Sequence, residues 1–303
     1  MKNWPSDCRV PGSVSSSDHG QPRATTFATI CRVVQAPMAA RGRRYCWAVT
    51  AGLSSGEIDS FVRDGFIRIE GAFPRLVADQ GRALLWDEMG LSADEPAGWS
   101  RAVIRLPGSG AEPFDRAVNV ERLHRSFDQL VGPGRWIKRS GLGTFPIRFP
   151  NLPEPDDTGW HCDGSFGSWP YRLNLRSRGR ALLMLFLFSD VGPEDAPTRI
   201  RVGSHLDVPP MLVPAGEEGM SFLDLAQRLG ATSTRPIEYA TGSAGDVYLC
   251  HPFLVHAAQR HRGTEPRFIA QPPLEPALDL QVEHADRPYS PVERATRLGL
   301  GAE

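Results

Sequence analysis

From Trp136 onward, Gly and Pro break the sequence into short runs of strand character: RWIKRS, TFPIRF, YRLNLR, RALLMLFLFSDV, TRIRV, GDVYLC and RFIAQPPL. Several short strands separated by regular turn signals specify a sandwich or a barrel. The longest apolar run, ALLMLFLF (181–188), has the length of a strand. It has polar flanks and falls well short of the roughly 18 apolar residues a membrane span needs.

Helices are expected on the N-terminal side of these strands. One opens at Ser54 or Ser55, with Glu57 and Asp59 in its first turn and Ile58, Phe61 and Val62 at helical spacing. Gly65 stops it, and FIRIE follows with strand alternation. A second covers Pro74–Met89, with Leu76, Val77, Leu84 and Leu85 as its stripe. A third covers Phe114–Val131, with Val118, Leu123, Phe127 and Leu130. One more interrupts the strands near Ser221–Leu229. The fold class is therefore mainly β with flanking helices, in one domain over 53–285, followed by a C-terminal tail at 286–303. Residues 1–48 are rich in Ser, Pro and Gly and lack periodicity, so they read as disordered. An over-extended start, with Met38 as the alternative, or an arginine-biased transit peptide are the other readings of that segment.

A net charge of -1 provides no field that favours nucleic acid or membrane. The five cysteines are odd in number and form no CxxC. That argues against a disulfide framework or a zinc site and for a reduced, cytoplasmic setting.

The chemistry centres on WHCDGS (160–165). In a strand, residues two apart face the same way, so His161 and Asp163 share a face and Cys162 takes the other. A third ligand must come from elsewhere. His256 is the favoured one, because it ends the apolar run FLV. His251 is a rival that needs a shifted register. His261, between two arginines in a loop, reads as solvated; His205 reads as structural; His19, His124 and His284 read as surface residues. Two histidines and one carboxylate on one face of a metal leave three positions open, the pattern of non-haem Fe(II) oxygenases. A 2-oxoacid would fill two of them, and Arg267, which opens the next apolar strand, would meet a far carboxylate with its planar fork.

With that set in view, the chain resembles the Fe(II)/2-oxoglutarate dioxygenases of the phytanoyl-CoA dioxygenase type. The matching residues are His161-Cys162-Asp163, His256 and Arg267. FVRDGFIRIEGAF, the RVGSH segment and GDVYLCHPFLVHAA add local matches, over roughly Leu53 to Pro276. The resemblance implies a double-stranded β-helix that uses Fe(II), 2-oxoglutarate and O2 on a small-molecule substrate. His161, Asp163 and His256 would hold the iron, Arg267 would hold 2-oxoglutarate, and Arg148 or Thr144 would reach it from the strand before the HxD. A carboxylate at 163 favours hydroxylation or a related oxidation over halogenation. One departure stands out: relatives often carry a small hydroxyl residue two positions after the distal histidine, and here that position is Ala258. The competing readings are a cupin-like binding protein without turnover and a hydroxylase of a partner's side chain. The segment 208–220 reads as a long loop able to act as a lid. Trp160, Phe166, Trp169 and Tyr171 are core or substrate-lining, and the arginines of 172–180 read as a solvated face.

Overall fold

The computed structural model describes residues 52–153 and 155–302. The expectation for residues 1–48 lies outside the described residues.

Helix α1 (Ser55–Asp64) starts where a capping box forms: Ser54 Oγ accepts from Glu57 N at 3.3 Å, and Glu57 Oε2 accepts from Ser54 N at 2.8 Å. Gly65 ends it with φ 88°, a left-handed cap that other residues resist. A Cβ there would also lie 2.5 Å from His205 Nδ1. Strand β1 (Phe66–Ile69) follows, then α2 (Arg75–Met89). The buried face of α2 is Val77, Ala78, Gly81 and Leu85, whereas Leu76 and Leu84 are exposed. The expected stripe was turned by about one position, because Gly81 is the point of closest approach to Phe188 and Phe114.

Strand β2 (Val103–Leu106) comes next. The single helix expected over 114–131 is two, α3 (Glu112–Val118) and α4 (Glu121–Leu130), which break at Asn119. Asn119 caps α3: its Nδ2 donates to the Asp115 carbonyl at 3.0 Å and to the Arg139 carbonyl at 3.0 Å. Beyond it run β3 (Phe145–Arg148), β4 (Arg172–Leu173), β5 (Leu182–Leu187), β6 (Arg199–Arg201), α5 (Val208–Leu212), β7 (Met220–Ser221) and α6 (Phe222–Arg228). The chain ends with β8 (Ile237–Tyr239), β9 (Val247–Cys250), β10 (His256–Ala257), β11 (Ile269–Ala270), β12 (Pro273–Leu274) and α7 (Pro291–Gly299). No helix among the described residues is long and apolar enough to cross a membrane.

The strands form an antiparallel sheet in the order β1-β9-β5-β11, with β12 also on β5. β11 and β12 are one edge broken at Gln271–Pro272, since proline cannot donate to the ladder. β3, paired with β2, extends this sheet through reciprocal backbone bonds between Arg148 and Arg267. A second antiparallel sheet has the order β10-β6-β8, with His161 paired to His256 beyond β10. The alternation of β5 explains its unbroken apolar sequence. Leu182, Met184 and Phe186 pack with α2, α3 and α4. Leu183, Leu185 and Leu187 pack with Ile200 of β6, Tyr248 of β9 and Ile269 of β11 between the sheets.

Other expectations need correcting. RWIKRS forms no strand and makes only a bridge between Trp136 and Pro276. Much of 208–220 is helical rather than loop: Pro209 sits at the start of α5, where its missing N–H costs nothing, and Val208 and Leu212 are fully buried. The segment expected as a tail carries α7, which packs on α1 and α5 with Val292 and Ala295 buried. Glu293 pins it there. Its fully buried carboxylate receives Arg287 at 2.7 Å and Arg135 at 2.9 Å and caps Ser290 N at 2.9 Å. Removing a buried carboxylate while its cations remain costs about 3–5 kcal/mol. Glu293→Ala is therefore expected to lower stability by that amount in urea unfolding at unchanged m-value, and a loss under about 1 kcal/mol, the scale of a surface pair, would show that α7 docks by its apolar face alone.

A candidate metal centre between the sheets

The stretch WHCDGS sits where the second sheet is extended beyond β10. His161 and His256 exchange backbone hydrogen bonds of 2.9 and 3.0 Å, so their side chains share a face, with ring centroids 4.5 Å apart. Asp163 returns to that face. Cys162, between them, turns away into the core, where its thiol donates to the Phe253 carbonyl at 3.3 Å. The glycine after the motif has a packing reason: a Cβ on Gly164 would lie 2.5 Å from that of Tyr171.

The three side chains converge, one ligand atom from each lying within 4.8 Å of the others. Asp163 Oδ1 is 3.6 Å from His161 Nε2 and 3.8 Å from His256 Nε2. Backbone carbonyls set both tautomers. His161 Nδ1 donates to the Gly159 carbonyl at 2.9 Å and His256 Nδ1 to the Leu254 carbonyl at 3.0 Å. A carbonyl only accepts, so each proton is on Nδ1 and each Nε2 lone pair is directed to the shared space, as metal ligation requires. Burial, reinforced by His161, lowers the His256 pKa to about 4. Burial opposes ionisation of Asp163, but the Arg180 charge and the two histidines outweigh it and hold the carboxyl well below the usual range. Neutral imidazole and ionised carboxylate are the forms that bind a cation.

Sequence reasoning missed Arg180. The arginines of 172–180 read as a solvated face, and Arg176 and Arg178 do pair at the surface, holding Glu217 at 2.8 and 2.9 Å. Arg180 instead points inward, with Nη1 2.5 Å from Asp163 Oδ2 and Nη2 3.3 Å from the Gly164 carbonyl. One carboxylate oxygen is thus held by arginine and the other faces the histidines. The available signal was position, since Arg180 directly precedes the wholly apolar run of β5.

Arg267 lies on the other sheet and is almost fully buried. It belongs to the same face as Ile269, toward the space between the sheets. Nη1 donates to the carbonyl of Ala196, on the segment feeding β6, and Nη2 to the Pro146 carbonyl at 3.2 Å. Its Nε has no partner, and among the described residues no carboxylate pairs with it. Burial pushes its pKa well down, helped by Arg148. A buried guanidinium satisfied only by carbonyls is an anion site. Arg148 is differently placed: its Nη2 is committed to Asp157 at 2.6 Å, and Asp157 also pairs with Arg105. Thr144 lies at the exposed start of β3, four residues before Arg148, with its carbonyl accepting from Gln271 N at 2.9 Å.

The remaining histidines sort cleanly. His251 is core: Nε2 meets the Val292 carbonyl at 3.1 Å, and Nδ1 accepts from Phe253 N at 3.2 Å. His205 is buried against the Val62 carbonyl at 3.0 Å. Three assignments to solvent or surface are corrected. His261 is buried, His284 lies 8% exposed beside Tyr289 and Glu293, and His124 is half-buried against Asn119 and Trp136. Of the aromatic residues near the motif, Trp160 packs between the Arg199 and Arg201 guanidinia. Trp169 is 39% exposed and contacts Phe222, whose ring is 5.6 Å from His161.

Two antiparallel sheets, one carrying His-X-Asp and a distal His on one face and the other a buried arginine, define a β-protein with three convergent side chains that could hold a metal ion. The profile of the phytanoyl-CoA dioxygenase (PhyH) family matches residues 115–269, just over half of the chain, and the chain belongs to that family. Among solved structures it is similar to HygX from Streptomyces hygroscopicus, determined with nickel and 2-oxoglutarate bound. The two are 21% identical over 72% of this chain and 85% of that one, with a TM-score of 0.50. It is also similar to SnoK, a non-haem alpha-ketoglutarate-dependent carbocyclase from nogalamycin biosynthesis, at 18% identity over 72% of this chain and 82% of that one, with a TM-score of 0.52. At these identities the likeness concerns the fold. No curated protein matches the chain.

Proposed function

We propose that the protein is an Fe(II)/2-oxoglutarate-dependent oxygenase, built on a double-stranded β-helix, that hydroxylates an aliphatic C–H of a small molecule. The observation that carries this reading is the pairing of two features across one interior. Three convergent ligand atoms lie within 4.8 Å of one another on one sheet, and a buried arginine that no carboxylate pairs with among the described residues stands on the other. A 2-oxoacid with a far carboxylate is the ligand that satisfies both. Membership of a dioxygenase family and the 2-oxoglutarate held by HygX support it.

Iron and 2-oxoglutarate, when bound, supply the oxidising chemistry, with release of succinate and CO2. The chain supplies position. His161 Nε2, His256 Nε2 and Asp163 Oδ1 would hold the metal on one face. Arg180 fixes the Asp163 carboxylate so that only Oδ1 is turned to the site. Arg267 would grip the far carboxylate, and Thr144, on the strand before the HxD, remains the other candidate to reach 2-oxoglutarate. Arg148 would act more remotely, through its bond to Asp157. Phe222 and Trp169 form an aromatic wall beside His161 that would orient substrate and exclude water. The buried free thiols Cys162 and Cys250 fit a reducing, cytoplasmic setting.

Anaerobic titration with Fe(II) and then 2-oxoglutarate tests the reading. A visible metal-to-ligand charge-transfer band is expected only when both are present. Iron binding without any band on adding 2-oxoglutarate would leave a metal-binding protein without the oxygenase site.

A further inference from the structure

Ala258 lacks the hydroxyl that relatives often place two residues after the distal histidine, so the far carboxylate of 2-oxoglutarate needs a second donor from elsewhere. We propose that His261 is that donor, through Nε2, beside Arg267. This inference rests on the oxygenase reading above.

His261 lies in the loop between β10 and β11, five residues after His256 and six before Arg267. The loop composition is polar, yet the side chain is only 5% exposed. The cause is long-range pairing. Arg262 N and Gly263 N both donate to the Glu194 carbonyl at 2.8 Å, which folds the loop back over the segment before β6. Two residues further along that same segment, the Ala196 carbonyl takes Arg267 Nη1. His261 and Arg267 are therefore tied to one stretch of backbone from opposite ends of the loop. Gly263 permits the approach, since a Cβ there would come within 3.1 Å of His261 Cε1 and would overlap Asp195 Oδ1.

The ring's protonation follows from its contacts. Nδ1 accepts from Gly263 N at 3.1 Å, so the proton of the neutral ring is on Nε2. Burial lowers the pKa, and the nearby Arg267 and Arg148 charges lower it further, against Asp195. The Glu265 carbonyl also approaches the ring and favours the charged form, yet the buried Nε2 makes no hydrogen bond of good geometry. Arg267 Nε is in the same condition. Two buried N–H donors without acceptors, one on a guanidinium and one on the imidazole beside it, are costly unless an anion completes them. A carboxylate offers two acceptor oxygens, one for each donor.

The experiment compares two chelates on the iron-loaded protein. 2-Oxoglutarate carries the far carboxylate; 2-oxobutyrate chelates through the same 2-oxoacid group and lacks it. Dissociation constants come from the charge-transfer band under anaerobic conditions. His261→Ala and His261→Phe, which remove the donor with and without the ring's volume, are expected to raise the 2-oxoglutarate Kd by about 10- to 100-fold, the scale of a hydrogen bond to a charged group. The 2-oxobutyrate Kd should be unchanged, which also reports that each variant is folded and loaded. His261→Gln, with an amide donor, should recover part of the loss. An unchanged 2-oxoglutarate Kd, or equal weakening of both chelates in all variants, would assign His261 to packing and overturn the proposal. Absence of a band in the parent with either chelate would overturn the oxygenase reading instead.

Discussion

Asp163→Ala is expected to fold, to keep both histidines in place and to lose iron almost completely. Two effects act in the same direction. The variant loses Oδ1, the only anionic donor of the three. It also strips Arg180 of its carboxylate, which now lies 2.5 Å away, and Arg180 Nε already lacks a partner. An ion pair of zero net charge beside the site becomes a lone cation, and a divalent metal must approach that cation. Outer-shell substitutions alone typically cost about 10- to 100-fold in metal affinity, so loss of a ligand together with an added positive charge should exceed 100-fold. Equilibrium dialysis against Fe(II) measures it. The double variant Asp163→Ala/Arg180→Ala separates the two effects, because it lacks the ligand but also lacks the stranded charge. It should bind iron better than Asp163→Ala alone. Parent-like affinity in Asp163→Ala would remove Asp163 from the metal site.

How much of this site could be read in advance depended on whether local spacing or distant contact positioned each residue. His161 and Asp163 follow from the two-residue period of a strand, and His256 from the end of an apolar run, so their convergence is legible. The capping box at Ser54 and the stop at Gly65 are local too, and α1 begins and ends there. Arg180 is not legible. Four arginines lie between 172 and 180, and the turn at Ser177 and Gly179, with φ 44° and 75°, decides which of them points inward. His261 reads as solvated because its neighbours are polar; it is buried because the Glu194 carbonyl, far away in sequence, captures the loop through the amides of Arg262 and Gly263. The division between α3 and α4 is hidden by apolar spacing that continues through Asn119. At 208–220 the prolines suggest a loop, but a proline at the first turn of a helix breaks nothing.

Arg267 yields the prediction that best separates function from stability. Arg267→Met keeps length and apolar volume and removes the charge. In the protein without ligands that charge is buried among carbonyls and pairs with no carboxylate among the described residues, an arrangement that costs stability. Losing it relieves the desolvation penalty but leaves the Ala196 and Pro146 carbonyls without their donor, at about 1–3 kcal/mol each. These terms oppose one another, so the melting temperature of the ligand-free variant should stay within a few degrees of the parent, at about 2–4 °C per kcal/mol for a chain of this size. Binding should respond quite differently. Truncating one side of a buried charge pair costs about 2–5 kcal/mol, on the order of 30- to 5000-fold in 2-oxoglutarate Kd. In the parent, 2-oxoglutarate at 100 times its Kd should add about 2.7 kcal/mol to the stabilisation that iron alone gives. In Arg267→Met that gain should fall below about 1 kcal/mol at the same concentration, while the stabilisation by iron remains. Thermal melts with iron alone and with iron plus 2-oxoglutarate distinguish the outcomes. A retained 2-oxoglutarate shift would mean that the far carboxylate is held elsewhere. A collapse of the ligand-free variant would make Arg267 a strut between the sheets, since its donors to Ala196 and Pro146 would then matter more than its charge.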